Sequence, residues 1–107
     1  MARAYSRGRE KLRKAVYWLA VGHGDVRSRL SRTYPILRSI SARDLPLALR
    51  TEWRAVLADL TRFGPEFYLG EIVKSSVAHT MSRIRNSTGS KIAVRILTLE
   101  RDLAFLK

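Results

Sequence analysis

DLPLALRTEWRAVLADLTRFGP, residues Asp44 to Pro65, carries its apolar side chains at one repeating interval. Leu49, Trp53, Val56, Leu60 and Phe63 follow one another at spacings of 4, 3, 4 and 3. Side chains three and four apart lie on one face of an α-helix, so this stretch predicts an amphipathic helix with a broad buried stripe. Its ends carry start and stop signals. Asp44 reads as the N-cap, and Pro46 falls in the first turn, where a missing N–H costs nothing. Gly64-Pro65 ends the helix.

The same pattern extends to both sides. Upstream, residues 3–21 contain no Pro, and Tyr5, Leu12, Val16 and Leu19 share a face. Gly22-His23-Gly24 stops that helix, with Gly22 suited to the position after its end, and Asp25 caps the next. In the second helix Val26, Leu30, Tyr34 (or Thr33) and Leu37 form the stripe. Pro35 lies inside it and predicts a kink or break near Thr33–Tyr34. Downstream, Pro65 starts a fourth helix using Phe67, Ile72 or Val73, Val77, Met81 and Ile84. Asn86–Ser90 reads as a polar turn, with Ser87 or Thr88 capping a last helix striped by Ile92, Ile96, Leu99, Leu103 and Leu106. No segment alternates with period two for more than a few residues. The expected fold is therefore all-α: one compact domain over residues 1–107, a bundle of four to five antiparallel helices with no strands.

Composition narrows the possible functions. The chain has 107 residues, 46% of them apolar, and no Cys. That apolar share argues against disorder, and the missing Cys excludes disulfides, thiolate metal sites and cysteine catalysis. The basic start followed by Ala15–Val21 is too short and too aromatic for a secretory signal. With no apolar run long enough to span a bilayer, the expected location is cytoplasmic. His23 and His79 have no partner at metal-ligand spacing. The carboxylates form no close pair, and no nucleophile or phosphate-loop motif is present. The expectation is a protein that is not an enzyme and takes no metal or cofactor.

Charge is the functional lead. Lys and Arg number 21 against 9 Asp and Glu, a net of +12. Residues 1–43 carry +9 of it and residues 44–107 only +3. On the first helix Arg3, Arg7, Lys11 and Lys14 share one face, and Trp18 continues the row. A basic row ending in an aromatic suits phosphate tracking with a stacking platform. The second helix adds Arg27, Arg29, Arg32 and Arg38. Read as a helix-turn-helix, it would aim Arg29 and Arg32 at guanine edges and Ser28 at phosphate. The candidate nucleic-acid-binding set is thus Arg3, Arg7, Lys11, Lys14, Trp18, Ser28, Arg29 and Arg32, with DNA or RNA as partner. A third basic group, Lys74, Arg83, Arg85 and Lys91, surrounds the Asn86–Ser90 turn.

Two other readings use the same residues. In one, the chain is a helical adaptor that binds an acidic protein surface, with Tyr17, Trp18 and Val21 as an apolar patch beside the basic one. In the other, the first helix lies on anionic lipid with Trp18 at the interface. Glu10 is set for pairing with Lys14, and Glu52 and Asp59 lie near Arg54 and Arg62.

Overall fold

A computed structural model of the chain describes residues 4–106. Helix α1 runs Ser6–Val21, α2 Val26–Arg38, α3 Leu47–Leu60, α4 Ser76–Arg83 and α5 Asn86–Ala104. A short 3-10 turn, Ala42–Asp44, links α2 to α3. Helix α1 packs against both α2 and α5, and α3 closes the other side of α5. The stripes read from the sequence form the core. Leu12, Leu19, Leu30, Leu37, Trp53, Val56, Leu60, Met81, Ile92, Ile96, Leu99 and Leu103 are all buried. Trp53 also donates its indole N–H to the Leu37 carbonyl at 3.2 Å, which satisfies a buried polar atom and ties α3 to the end of α2.

The expectation of no strands is corrected. Residues 66–74 form a hairpin rather than the start of a fourth helix: β1, Glu66–Tyr68, pairs antiparallel with β2, Glu71–Lys74. Aromatic and β-branched residues dominate both arms, and such side chains favour the pleated backbone. Leu69-Gly70 forms the two-residue loop, with φ of 51° and 80°. Two successive positive φ values are the twist a two-residue hairpin needs. Gly70 accepts this conformation freely, whereas a leucine there costs about 1–2 kcal/mol. That unusual Leu69 is why the loop did not stand out as a turn.

Smaller differences have similar local causes. Pro35 does not break α2, which continues unbroken to Arg38. The proline lies in the last turn, where few intrahelical bonds remain to be lost. Asp44 does not cap α3. Pro46 takes that position, and Asp44 is buried, accepting the Ser41 N–H at 2.7 Å. Asn86–Ser90 is the first turn of α5 rather than a connector, with Arg85 at the N-cap and neither Ser87 nor Thr88 in that role. The left-handed residue between α1 and α2 is Gly24, not Gly22.

Gly8 sets how closely α1 approaches the 3-10 turn. A Cβ on Gly8 would lie far inside contact distance of the Asp44 carbonyl oxygen, a backbone atom that cannot rotate away. A Cβ on Gly89 in α5 would instead press on the Val26 side chain at 3.0 Å, which can shift by a few tenths of an ångström. Alanine gains about 1 kcal/mol over glycine inside a helix, while overpacking costs about 1–3 kcal/mol. Gly8→Ala should therefore lose about 1–2 kcal/mol net, and Gly89→Ala should stay within about 1 kcal/mol of the parent. Urea denaturation midpoints of the two variants check the contrast.

Candidate nucleic-acid interface

The candidate residues lie on α1 and the first half of α2, and Arg3 falls outside the described residues. At about 100° per residue, Arg7, Lys11, Lys14 and Trp18 occupy an arc of about 60° on α1. Two contacts lie near the ends of α1. At one end the Arg7 Nε donates to Asp44 at 3.3 Å. At the other, Arg29 of α2 reaches the Leu19 carbonyl of α1 at 2.8 Å. Arg7 thus reaches toward the 3-10 turn, and Arg32 lies one turn beyond Arg29 on α2, the helix that packs against α1.

Members of the set differ in what they already hold. Lys14 and Arg32 are exposed and Lys11 half-buried. None of the three has an ion-pair or hydrogen-bond partner among the described residues. Arg7 is exposed but shares the buried Asp44 carboxylate. Trp18 is 44% exposed and meets Tyr17 edge-on at 5.5 Å between ring centres. Ser28 is exposed, and its backbone N–H donates to Asp25 at 3.0 Å. Arg29 is half-buried and donates to the carbonyls of Leu19 and Asp25. A guanidinium held on the last turn of α1 is not presented to a base edge, so the geometry gives no support to a helix-turn-helix reading through Arg29. A charge-assisted bond of this kind is worth about 1.5–3 kcal/mol when shielded from water, and less at a half-exposed arginine.

Arg29 belongs to a wider pattern that charge counting missed. Arg27 donates to the Ile84 carbonyl at the end of α4, at 3.1 Å. Arg9 donates to the Leu106 carbonyl just past α5, at 2.9 Å. Arg50 donates to the Ala42 and Leu45 carbonyls around the end of the 3-10 turn, at 2.7 and 3.0 Å. Carbonyls at a helix C-terminus lack intrahelical donors and sit at the negative end of the dipole, so a cation there satisfies both. A sequence search that pairs arginines only with carboxylates cannot find these contacts.

The acidic residues also pair differently from the sequence expectation. Arg95 of α5 binds Glu52 at 2.6 Å and Asp59 at 2.5 Å, spanning two turns of α3. The hydrogen bond to Asp59, then that to Glu52, holds the Arg95 pKa above its ordinary value. Arg54 and Arg62 take no part in these pairs, and Glu10 forms none with Lys14 among the described residues. His23 is exposed, while His79 is half-buried with its Nδ1 donating to the Gly64 carbonyl at 3.0 Å. No group of three or more metal-ligating His, Asp or Glu side chains occurs among the described residues. None of their helices is long and apolar enough to cross a membrane.

Asp25 gives the α1–α2 corner its pH dependence. The Ser28 backbone N–H lowers its pKa most, followed by the bond from Arg27. A carboxylate whose folded pKa lies below its unfolded value stabilises the fold above the unfolded value. That stabilisation is lost as pH falls through the folded one. Asp25→Asn keeps a cap acceptor but removes the charge. The variant should lose less stability than the parent as pH falls from the ordinary aspartate value, about 3.9, through the lowered folded one. Denaturation midpoints across that range check this outcome.

Comparison of the chain with protein-family models, curated proteins and solved structures gives no match to any of them.

Proposed function

We propose that this protein binds nucleic acid through phosphate contacts along α1 and α2, without base-specific readout. The observation that carries the reading is the set Lys11, Lys14 and Arg32: three cations on the packed pair α1 and α2, with the exposed Trp18 on the same α1 row and no partner among the described residues. Arg7 adds a fourth charge at the end of the row, still exposed although paired with Asp44. Phosphates accept such cations at any sequence, and an exposed indole can stack on any base. The reading omits Arg29 as a contact because its guanidinium already holds α1.

An adaptor role is the second reading. Tyr17 and Val21 are exposed on α1 beside Trp18, an apolar patch next to the basic row that fits a protein partner with an acidic rim. The two readings differ in salt dependence and in which side chains matter.

Each neutralised phosphate on duplex DNA contributes about −0.9 to the slope of log K against log salt. With three to four contacts the slope should be roughly −2.7 to −3.6 between about 50 and 200 mM salt. Replacing Lys11, Lys14 and Arg32 together by Ala should flatten it by roughly 2.7. Fluorescence anisotropy with mixed-sequence duplex and single-stranded DNA measures both values. Absence of binding at the lower salt would sink the nucleic-acid reading. A salt-insensitive protein complex that Tyr17→Ala/Val21→Ser abolishes would favour the adaptor.

A further inference from the structure

The hairpin exposes apolar side chains on one face, at its tip and beside Glu71 on the other. Phe67 and Ile72 are directly paired across the strands, so their side chains share one face. They are 60% and 62% exposed. Tyr68, on the opposite face, is 68% exposed, Leu69 at the tip 87% and Val73 53%. An isolated two-stranded hairpin is marginal in water, and an apolar protrusion of this size marks a contact surface. Its shape helps decide what covers it.

Strand addition by another chain fits poorly. Pro65 removes a donor immediately before β1. On β2 the register steps from Ile72 to Lys74, leaving Val73 in a bulge. A proline and a bulge are both devices that blunt sheet edges. Packing on a flat protein surface would cover one face and leave either Phe67 and Ile72 or Tyr68 in water. A lipid interface covers Phe67, Ile72 and the tip together and leaves Glu71, across from Tyr68, toward water.

Charge around the base points the same way. Arg62 and Arg83 both stack on Phe63, at 5.5 and 5.3 Å from its ring centre. Lys74 neutralises Glu66 across the strand ends at 3.6 Å. Arg85 follows closely after Arg83, and the chain as a whole is +12. Arg62 and Arg83 thus lie beside Phe63 at the entry to the hairpin, and Glu71, across from Tyr68, is the exposed acid on the hairpin itself. We infer that residues 66–74 insert shallowly into an anionic lipid surface, Leu69 and Tyr68 leading, while Arg62, Arg83 and Arg85 meet the headgroups. Strands of three and four residues reach about 10–13 Å, close to the depth of roughly 5–10 Å at which interfacial segments lie. The surface is separate from the α1 and α2 residues, so it stands or falls independently of the nucleic-acid reading.

The chain has no Cys, so a single introduced one can be labelled uniquely. The test places an environment-sensitive fluorophore on Leu69→Cys and, as a control, on Arg54→Cys of α3. Vesicles of phosphatidylcholine alone and with about a third phosphatidylserine are then added. The Leu69 label should shift to the blue with the anionic vesicles, and the Arg54 label should not. In co-sedimentation, Phe67→Ser/Leu69→Ser/Ile72→Ser should lower the lipid partition coefficient by at least tenfold, since withdrawing even one buried apolar side chain is worth about that much. Far-UV circular dichroism confirms that the variant keeps its helices. Failure to bind anionic vesicles overturns the inference, as does binding that the triple variant leaves unchanged. A lipid-free dimer, seen by light scattering and lost in the triple variant, would assign the hairpin to a second copy and also overturn it.

Discussion

The fold depends on guanidinium groups donating to helix C-terminal carbonyls. Arg29 holds the end of α1, Arg27 the end of α4, Arg9 the end of α5 and Arg50 the end of the 3-10 turn. Each bond joins segments distant in the chain or turns a corner between neighbours. This arrangement answers a constraint set by composition. With 21 basic residues and 9 acidic ones, most cations cannot find a carboxylate. Backbone carbonyls at helix ends supply acceptors instead, and the helix dipole adds to the attraction. Part of the surplus is thereby built into the scaffold, leaving a smaller set free for a partner. Among the described residues of the first 43 that set is Lys11, Arg13, Lys14, Arg32, Arg38 and Arg43.

Helices with a regular apolar stripe were legible because burial and periodicity are the same fact seen twice. Leu49, Trp53, Val56 and Leu60 needed one buried face, and the 4-3 spacing announced it. The segment after Pro65 was not legible on those terms. Phe67, Ile72 and Val73 can be fitted to a helical spacing, yet none is buried, so no core enforced that period. Backbone preference prevailed: aromatic and β-branched arms around Leu69-Gly70 close as a hairpin. Asp44 shows the same limit at smaller scale. Its identity suits an N-cap, but its carboxylate turns back to the Ser41 N–H three residues upstream, a Ser-x-x-Asp box on the 3-10 turn that competes with capping α3.

The candidate interface was legible as a row and illegible as a set of available charges. Wheel geometry places Lys11 and Lys14 on one side of α1 from sequence alone. That Arg29 is engaged follows from where α1 ends, and Arg32 is left without a partner among the described residues. The bridging role of Arg95 between Glu52 and Asp59 was hidden for a similar reason. Its partners lie 43 and 36 residues away, and nearer arginines looked equally suitable.

The chain leaving α3 is clasped by α4. The Phe63 N–H donates to the Thr80 hydroxyl at 3.1 Å, and His79 holds the Gly64 carbonyl. Thr80 is itself buried and donates to the Ser76 carbonyl at 2.8 Å. Helix α4 has eight residues, too few to persist without its neighbours. The hairpin is therefore strapped to the least self-sufficient helix in the molecule. Load applied at Leu69 passes through Phe63 into α4, so residues 61–84 form one mechanical unit. That unit is held to the framework by the buried Met81 and by the bond from Arg27 to the Ile84 carbonyl, so a tug on the tip is carried into the pairing of α4 with α2.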